Sequence, residues 1–316
     1  MVNTPVLFIT FVRVDYAREV WEAIKVAQPN KLYFYSNKGR PEKEGEIERN
    51  NEIRSWIKEV SWDCELHTWF RDECVDVYTS LRGAITWLFE NEEEGIILED
   101  DCVPSMAFFS YCDQLIPKFK NDYRVWCISG DNFLNANPSG YDYVFSRHHW
   151  MYGWASWRSR WERIRWGDYR LDETINTHLY YNIFRTKAEA KLKEKDISDL
   201  KEFLPKTDCW DYAFGLVIDQ ENGLTIYPKE HLITNIGIEG THHQGGSRSI
   251  FNRECVYNGV TYEIIHEPPF VFPDTQYDFL IYKKLWKGKN IFVKGINRIG
   301  RVFGSILCRI RIFNNS

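Results

Sequence analysis

Short apolar runs alternate with amphipathic stretches through the first 130 residues of the chain. Apolar runs rich in β-branched and aromatic residues predict buried strands, and apolar positions spaced by three and four predict helices. The predicted strands cover residues 5–11, 31–36, 64–70, 95–101 and 125–130. The predicted helices carry the apolar stripes Ala17, Val20, Trp21, Ile24; Leu81, Ala84, Ile85, Leu88; and Phe108, Cys112, Leu115. This alternation indicates an α/β fold, with a mostly parallel sheet and helices on both faces.

The second half of the chain is less regular. Helices are predicted for residues 175–203 and 208–218, strands for 224–228 and 231–237, and a flexible loop for 240–246. Trp157 and Trp161 follow Trp154 at i+3 and i+7, which predicts a helix with these two rings in the core. No internal repeat or low-complexity linker separates the halves. We therefore expect one body, whose first half holds one ligand and whose second half holds another.

Three carboxylates, Glu99, Asp100 and Asp101, directly follow the apolar run in "GIILEDD". Unpaired, they would repel each other and resist desolvation, so a positive partner is expected. Parallel sheets bind ligands at the carboxyl ends of their strands, and Mg²⁺ or Mn²⁺ uses one or two carboxylates together with water and phosphate oxygens. A solvated acidic turn or a helix N-cap is the alternative. The buried strand and the β/α context favour a site for a metal and a diphosphate.

The segment "GIILEDDCVPSMAFFSYCDQLI" resembles the acidic motif of GT-A glycosyltransferases, which bind nucleotide-sugars. It is especially similar to the inverting N-acetylglucosaminyltransferases of complex N-glycan synthesis and their bacterial relatives. The resemblance covers most of residues 4–245, with specific matches only at a few islands. It implies a GT-A fold and a metal-dependent inverting transfer. By position in this motif, Asp101 would bind the metal directly. Glu99 and Asp100 would contact the donor's sugars or water on the metal.

Two further segments resemble the donor-binding loops of that family. "ITFVRVDY" matches the first strand and loop, which implies that Arg13 contacts the nucleotide; the alternative is a surface arginine at a helix start. "YSNKGRP" matches the second, where the family often places an aspartate against uracil. This chain has Asn37 and Lys38 there instead. Either side chain suits hydrogen bonding to a base, and the departure leaves the predicted UDP-sugar less strongly supported than the metal.

The segment "DCWDYAF" resembles the island that carries the catalytic base, an aspartate before an aromatic residue at a helix start. The resemblance implies that Asp211 is this base. Inverting transfer is a single displacement, so one carboxylate must take the proton of the attacking hydroxyl, and no carboxylate nucleophile is needed. Asp208 is the rival candidate, and a helix N-cap is the alternative role for either residue.

Two more islands carry predicted ligand contacts. Gly153 and Trp154 resemble the family's Gly-Trp pair, where glycine lets the backbone approach a ligand and the indole floors a sugar subsite. His242 and His243 lie in "GTHHQGG", where many GT-A enzymes place a histidine against metal or diphosphate. Histidine also serves many structural purposes, so the alternative for this pair is a loop without a ligand.

Charge adds one asymmetry to this picture. The net charge of −5 is mild and argues against general nucleic-acid binding, but nine Lys or Arg and no Asp or Glu follow Tyr282. With the apolar positions Ile296, Ile299, Val302 and Phe303, this tail favours a helix on an anionic membrane surface, and a packed C-terminal helix is the alternative. The eight scattered cysteines form no metal spacing and are interpreted as reduced, in a cytoplasmic protein that is peripheral to the inner face of a membrane.

The sequence therefore predicts a donor half (1–130), an acceptor half (131–268) and a basic extension (269–316). The expected activity is transfer of a sugar from a nucleotide diphosphate donor, with a UDP-sugar favoured, to a glycan hydroxyl, with Mn²⁺ or Mg²⁺ as cofactor. A lipid-linked or surface polysaccharide would suit a membrane-bound tail. The alternatives are a sugar-nucleotide nucleotidyltransferase, which usually carries a Gly-rich loop after the first strand that this chain lacks, and a non-catalytic sugar-binding or membrane-scaffold protein.

Overall fold

The computed structural model of the chain describes residues 2–134, 136–237, 254–257 and 259–287. Its first half alternates strands and helices as the sequence predicts. The elements are β1 Val6–Thr10, α1 Val14–Ala27, β2 Lys31–Ser36, α2 Glu46–Ser55, β3 Glu65–Phe70, α3 Val77–Asn91, β4 Glu94–Glu99, β5 Cys102–Pro104, α4 Met106–Phe119 and β6 Val125–Ser129. The predicted fourth strand ends at Glu99, so the two aspartates that follow lie in the turn before β5.

The second half contains shorter elements. They are β7 Tyr143–Ser146, β8 Trp154–Trp157, α5 Arg158–Trp161, α6 Leu171–Asn176, α7 Leu179–Ile183, α8 Lys187–Leu200, α9 Leu204–Thr207, α10 Trp210–Gln220, β9 Leu224–Pro228, β10 Ile233–Asn235 and α11 Thr275–Tyr282. The single helix predicted for residues 175–203 is wrong. His178 adopts a left-handed φ of 50°, Phe184 is extended, and Thr186 then begins α8 with a capping box to Glu189.

Eight strands form one sheet in the order β3-β2-β1-β4-β8-β6-β9-β7, and β10 pairs with β5 in a separate two-stranded sheet. β1, β2, β3 and β4 are mutually parallel, and β6 is parallel to β9. β8 runs antiparallel to both β4 and β6, and β7 runs antiparallel to β9. The predicted α/β class with a mostly parallel sheet is therefore confirmed. β4 lies where the first-half strands meet the second-half strands.

The helix predicted around Trp154 is wrong, because Trp154–Trp157 is the central strand β8. Side chains in a strand alternate between the faces of the sheet. Trp154 accordingly joins the core on one face, whereas Ala155 and Trp157 join the core on the other. Trp161 follows in α5 and is buried, as predicted for a core residue.

Helices cover both faces of the sheet. One core packs α1 and α4 against the strands, and the other packs α3 and α10 against them. A third cluster joins α11 to β7 and β9 through Val144, Tyr227, Tyr277 and Ile281. The beginning of the predicted C-terminal extension thus packs on the sheet, while the amphipathic stretch around residues 296–310 lies outside the described residues.

Two expectations about the chain as a whole concern cysteines and membranes. Seven cysteines lie in the described part of the chain, and no disulfide joins any two of them there. Among the helices of residues 2–287 that the structure describes, none combines the length and apolar character that a membrane span requires.

Candidate functional site

The acidic turn lies at the carboxyl end of β4, at the seam of the sheet. β4 pairs with β1 on one side and with β8 on the other, so the turn faces loops from both halves of the chain. Glu99 is the last residue of β4, and Asp100 and Asp101 form the tight turn into β5. The acidic triplet therefore lies at the carboxyl end of a parallel strand, as its place after the apolar run predicts, and ligand-binding loops of such sheets gather at this edge.

Arg13 supplies the positive charge that the sequence left unassigned. It lies in the loop after β1, where its Nη2 donates to Asp100 Oδ1 and, at 2.9 Å, to Asp101 Oδ2. Its Nε also approaches Asp100 Oδ2 at 3.3 Å. Burial by itself would lower the pKa of Arg13, but the two carboxylates hold that pKa above its ordinary value. The guanidinium therefore stays charged and neutralises part of the turn.

Glu99 and Asp100 carry strongly perturbed acidities. Burial raises the pKa of Glu99, and the charges of Asp101, Asp100 and Asp211 raise it further. Burial also raises the pKa of Asp100, although Arg13 partly offsets this effect. Perturbed carboxylates gathered at a cleft are typical of functional sites, because a fold has little other reason to keep them together.

A cavity of about 680 Å³ opens beside the turn, on the side of the first half. Its walls come from the loops that follow β1, β2 and β3 together with the end of β4. The predicted donor residues Arg13, Asn37, Lys38, Glu99 and Asp100 all line it. Five residues chosen from three separate segments of the sequence therefore meet around one space of ligand size.

The side chain of Asn37 is already committed within the protein. Its Nδ2 donates to the carbonyl of Val75 at 2.8 Å, and its Oδ1 accepts from the backbone N–H groups of Lys38 and Val75 at 3.0 and 3.2 Å. Asn37 thus joins the loop after β2 to the loop after β3. One hydrogen of the Asn37 amide remains for a ligand. Donor binding by Asn37 therefore stays a prediction, limited to one donated hydrogen bond.

A second cavity, of about 690 Å³, lies on the other side of the turn. Asp211, Trp210 and Tyr212 line it from α10, and Tyr152 lines it from the loop before β8. Glu99 lines both cavities. The end of β4 is therefore the wall that the two spaces share.

Asp211 and Asp208 occupy different surroundings. Asp211 lies in the first turn of α10, and its Oδ1 accepts from Cys209 Sγ and from the backbone N–H of Tyr212, each at 2.9 Å. Burial raises the pKa of Asp211. Asp208 instead accepts from Arg82 and from the hydroxyl of Tyr169, and it lines a third cavity along the outer face of α3. Of the two candidates, the structure places only Asp211 beside Glu99.

The roles predicted for Gly153 and Trp154 need correction. Gly153 adopts a φ of +67°, and a Cβ there would lie 2.5 Å from Cδ1 of Ile233, so its small size accommodates a side chain of the protein. Trp154 is fully buried and stacks on Trp210, with ring centroids 5.1 Å apart. Its ring supports the cavity wall from behind, whereas Trp210 and Trp150 are the tryptophans that line the second cavity.

The sequence reasoning missed several residues of the second cavity. Gly215 and Asp219 line it at i+4 and i+8 from the predicted Asp211 on α10, a spacing that the sequence already contained. His149 also lines it, and its ring contacts Asp219 Oδ1 at 3.1 Å and Thr225 Oγ1 at 2.8 Å. No local pattern marks His149, because the long-range pairing of β7 with β9 and of β8 with β4 and β6 brings it there.

No protein-family model matches this chain, and no curated protein matches it. Among solved structures, the chain is similar to a mannosyltransferase from Pyrobaculum calidifontis in complex with GDP-Man and Mn²⁺, at 16% identity and a TM-score of 0.36, covering 52% of this chain and 47% of that one. It is also similar to a UDP-glucose pyrophosphorylase complexed with UDP-glucose, at 9% identity and a TM-score of 0.33, covering 74% and 93%.

A third neighbour is the glycosyltransferase GlyE of Streptococcus pneumoniae, at 16% identity and a TM-score of 0.32, covering 68% of this chain and 44% of that one. The chain spans about half the length of the mannosyltransferase and less than half of GlyE. Similarities of this strength carry no argument about activity.

The acidic turn fits a hard divalent cation through its chemistry. The donors are carboxylate oxygens at a strand end, and such cations complete their shells with water and phosphate oxygens. Gly237 packs closely over Asp101: a Cβ there would lie 2.3 Å from its Oδ2. Within the described ranges, no three or more His, Cys, Asp or Glu side chains are arranged so that they could hold one metal ion together. The predicted ligands His242 and His243 lie outside these ranges.

Proposed function

We propose that this chain is a metal-dependent, inverting glycosyltransferase that moves a sugar from a nucleotide diphosphate donor to a hydroxyl of a glycan. The observation that carries the proposal is the position of Glu99. It lines a cavity that contains Arg13 and Asp100 on one side and a cavity that contains Asp211 on the other. A transferase needs two substrate spaces that meet at one reacting centre, and this arrangement provides them.

The residues divide the chemistry between the two cavities. Asp101 would hold Mn²⁺ or Mg²⁺, which supplies neutralisation of the charge that develops on a departing diphosphate. Arg13 donates to Asp101 and lines the cavity of about 680 Å³, where its guanidinium suits bidentate binding of phosphate oxygens. Asp211, across the turn, takes the proton of the attacking hydroxyl. Its raised pKa suits this role, because a stronger base accepts a proton more readily near neutral pH.

The proposed donor follows from the resemblance of the acidic segment and from the loop residues after β2. The proposed acceptor follows from the lining of the second cavity. A UDP-sugar remains the favoured donor because the acidic segment resembles N-acetylglucosaminyltransferases, and Lys38 together with the remaining amide hydrogen of Asn37 offers donors to a base. A glycan acceptor suits the second cavity, where Trp210 and Tyr152 supply aromatic surface and carboxylates supply hydrogen-bond acceptors. A lipid-linked glycan at an anionic membrane would also account for the basic tail.

The direct test is a reaction of the purified protein with a panel of UDP-, GDP- and CMP-sugars and Mn²⁺. We expect free UDP to accumulate from one UDP-sugar, by hydrolysis when no acceptor is added and faster when the glycan acceptor is present. The product anomer, read by NMR, should be inverted relative to the donor. Release of pyrophosphate from a nucleoside triphosphate and a sugar 1-phosphate would instead identify a nucleotidyltransferase and overturn the proposal.

A further inference from the structure

Arg13 holds the carboxylate oxygens that a metal ion would need. Its Nη2 bonds to both Asp100 and Asp101, which joins the two aspartates of the turn through one guanidinium. The side chain is only 20% exposed, and its guanidinium carbon lies 5.3 Å from the centre of the Tyr16 ring. Packing and charge together therefore fix Arg13 over the turn.

A divalent cation and the Arg13 guanidinium would compete for the same oxygen, Oδ2 of Asp101. A cation bound to Asp101 Oδ2 would lie beside an N–H group that now donates to the same atom at 2.9 Å. Like charges at such a distance in a partly buried site repel strongly. Binding of a metal at this oxygen therefore requires Arg13 to leave. Asp100, whose side chain is only 8% exposed, then loses its counter-charge.

The cavity of about 680 Å³ beside the acidic turn offers Arg13 a second position. Arg13 lines this cavity, and so does Asp100, so a diphosphate placed there lies within reach of the guanidinium. A guanidinium pairs with two phosphate oxygens as well as it pairs with carboxylates. Diphosphate and metal arriving together would leave every charge paired, whereas metal alone would leave the guanidinium beside a cation.

We infer that Arg13 is an exchangeable counter-charge: it neutralises the acidic turn in the free protein and gives up Asp101 to the metal only when a diphosphate receives its guanidinium. This inference rests on the proposed function and adds an order to it. The free protein should bind Mn²⁺ weakly, and a nucleoside diphosphate should strengthen that binding by more than its own phosphate ligands explain. The excess should disappear when Arg13 is removed.

The test measures Mn²⁺ binding by electron paramagnetic resonance in the full-length protein, without nucleotide and with UDP or GDP. We expect Arg13→Gln to bind Mn²⁺ alone about tenfold more tightly than the wild type, because the turn loses its competing cation. Arg13→Lys keeps a charge but lacks the planar fork, so its affinity should lie between the two. The gain in affinity on adding the diphosphate should be smallest in Arg13→Gln.

Arg18→Gln is the matched control. Arg18 lies on α1, the helix that Arg13 precedes; it bridges Glu22 and Glu59, and its guanidinium carbon lies 5.1 Å from the centre of the Trp56 ring. Its removal deletes the same charge away from the acidic turn, and Mn²⁺ affinity should not change. If Arg13→Gln does not fold, Arg13→Lys carries the test, and a several-fold tighter binding of Mn²⁺ alone is still expected.

The outcomes separate this inference from the proposed function. Mn²⁺ affinity in Arg13→Gln and Arg13→Lys that equals or falls below the wild-type value, without nucleotide, would overturn the inference. If the wild type also fails to bind Mn²⁺ in the presence of UDP and GDP, the proposed metal-dependent function fails as well. Binding with diphosphate in the wild type, combined with unchanged variants, would reject the role of Arg13 alone.

Discussion

The thiol of Cys209 donates to Oδ1 of Asp211 across 2.9 Å. The two residues flank Trp210 at the start of α10, and both line the second cavity, of about 690 Å³. The bond favours the charged carboxylate and so lowers the pKa of Asp211, against the larger effect of burial that raises it. Cys209 thereby positions the proposed base and adjusts its acidity.

Cys209→Ala should move the acid limb of the pH–rate profile to higher pH. The thiol now lowers the pKa of Asp211, so its removal lets that pKa rise, and Asp211 then loses its proton only at higher pH. Cys209→Ser keeps a donor and should leave the limb close to its wild-type position. A profile of kcat against pH measures this. An acid limb that stays in place, or moves to lower pH, in Cys209→Ala would contradict the assigned bond or the assigned base.

Asp211→Asn should abolish transfer and spare donor binding. The amide cannot accept the hydroxyl proton, and general-base catalysis contributes roughly 10² to 10⁴ in rate. Steady-state kinetics and calorimetric titration with the donor measure the two effects. Asp208→Asn is the control. The Asp208 carboxylate accepts from Arg82 and Tyr169, and it does not line the second cavity, which contains Asp211. A kcat that falls more in Asp208→Asn than in Asp211→Asn would reverse the assignment.

Gly153→Ala tests the correction made to that residue. Its φ of +67° strains any residue with a Cβ, and the added atom would press on Ile233. We expect a loss of roughly 1–3 kcal/mol in the free energy of unfolding, with donor affinity unchanged in the protein that remains folded. Urea denaturation measures the first quantity and calorimetry the second. Full stability combined with lost sugar binding would instead support the ligand role that the sequence implied.

The first half of the fold was predictable because local pattern and tertiary role coincide there. Apart from the half-exposed edge strand β3, the apolar runs of the first half became buried strands, and β4 ends at the acidic triplet because three charges cannot continue into the core. The second half was less predictable. β8 inserts antiparallel between β4 and β6, a long-range pairing that no local periodicity encodes, so the spacing of Trp154, Trp157 and Trp161 suggested a helix.

The site shows the same division. The predicted donor residues follow strand ends, so their convergence could be expected from the β/α alternation alone. Trp154 illustrates the opposite case, because its contact with Trp210 depends on how α10 packs over β8. The partnership of Arg13 with the acidic turn was also not assigned beforehand. Parallel pairing of β1 with β4 brings the ends of both strands together, and this register explains the contact.

Asp278 provides a prediction about stability. This buried carboxylate accepts from the hydroxyl of Ser146 at 2.5 Å, and burial raises its pKa to about 7 from an ordinary value of 3.8. The folded state therefore keeps a proton that the unfolded chain loses near pH 4. The resulting stabilisation is complete below about pH 4 and declines as pH rises to about 7.

Asp278→Asn removes this titration because its amide stays neutral. The stability of the wild type relative to the variant should therefore fall between pH 5 and pH 7.5, by roughly 1–3 kcal/mol. Urea unfolding of both proteins across this range measures the difference, and other titrating groups cancel in it. A difference that stays constant, or that grows in favour of the wild type, would show that Asp278 is ionised throughout.

The central claim is that the acidic turn binds a nucleotide-sugar together with a divalent metal. Calorimetric titration of UDP-, GDP- and CMP-sugars into the wild type and Asp101→Asn, each with Mn²⁺ and with EDTA, tests it most directly. We expect one nucleotide-sugar, with a UDP-sugar favoured, to bind the wild type with Mn²⁺ at least tenfold more tightly than with EDTA, and this gain to vanish in Asp101→Asn. Equal affinity with Mn²⁺ and EDTA, or an undiminished gain in Asp101→Asn, would contradict the account.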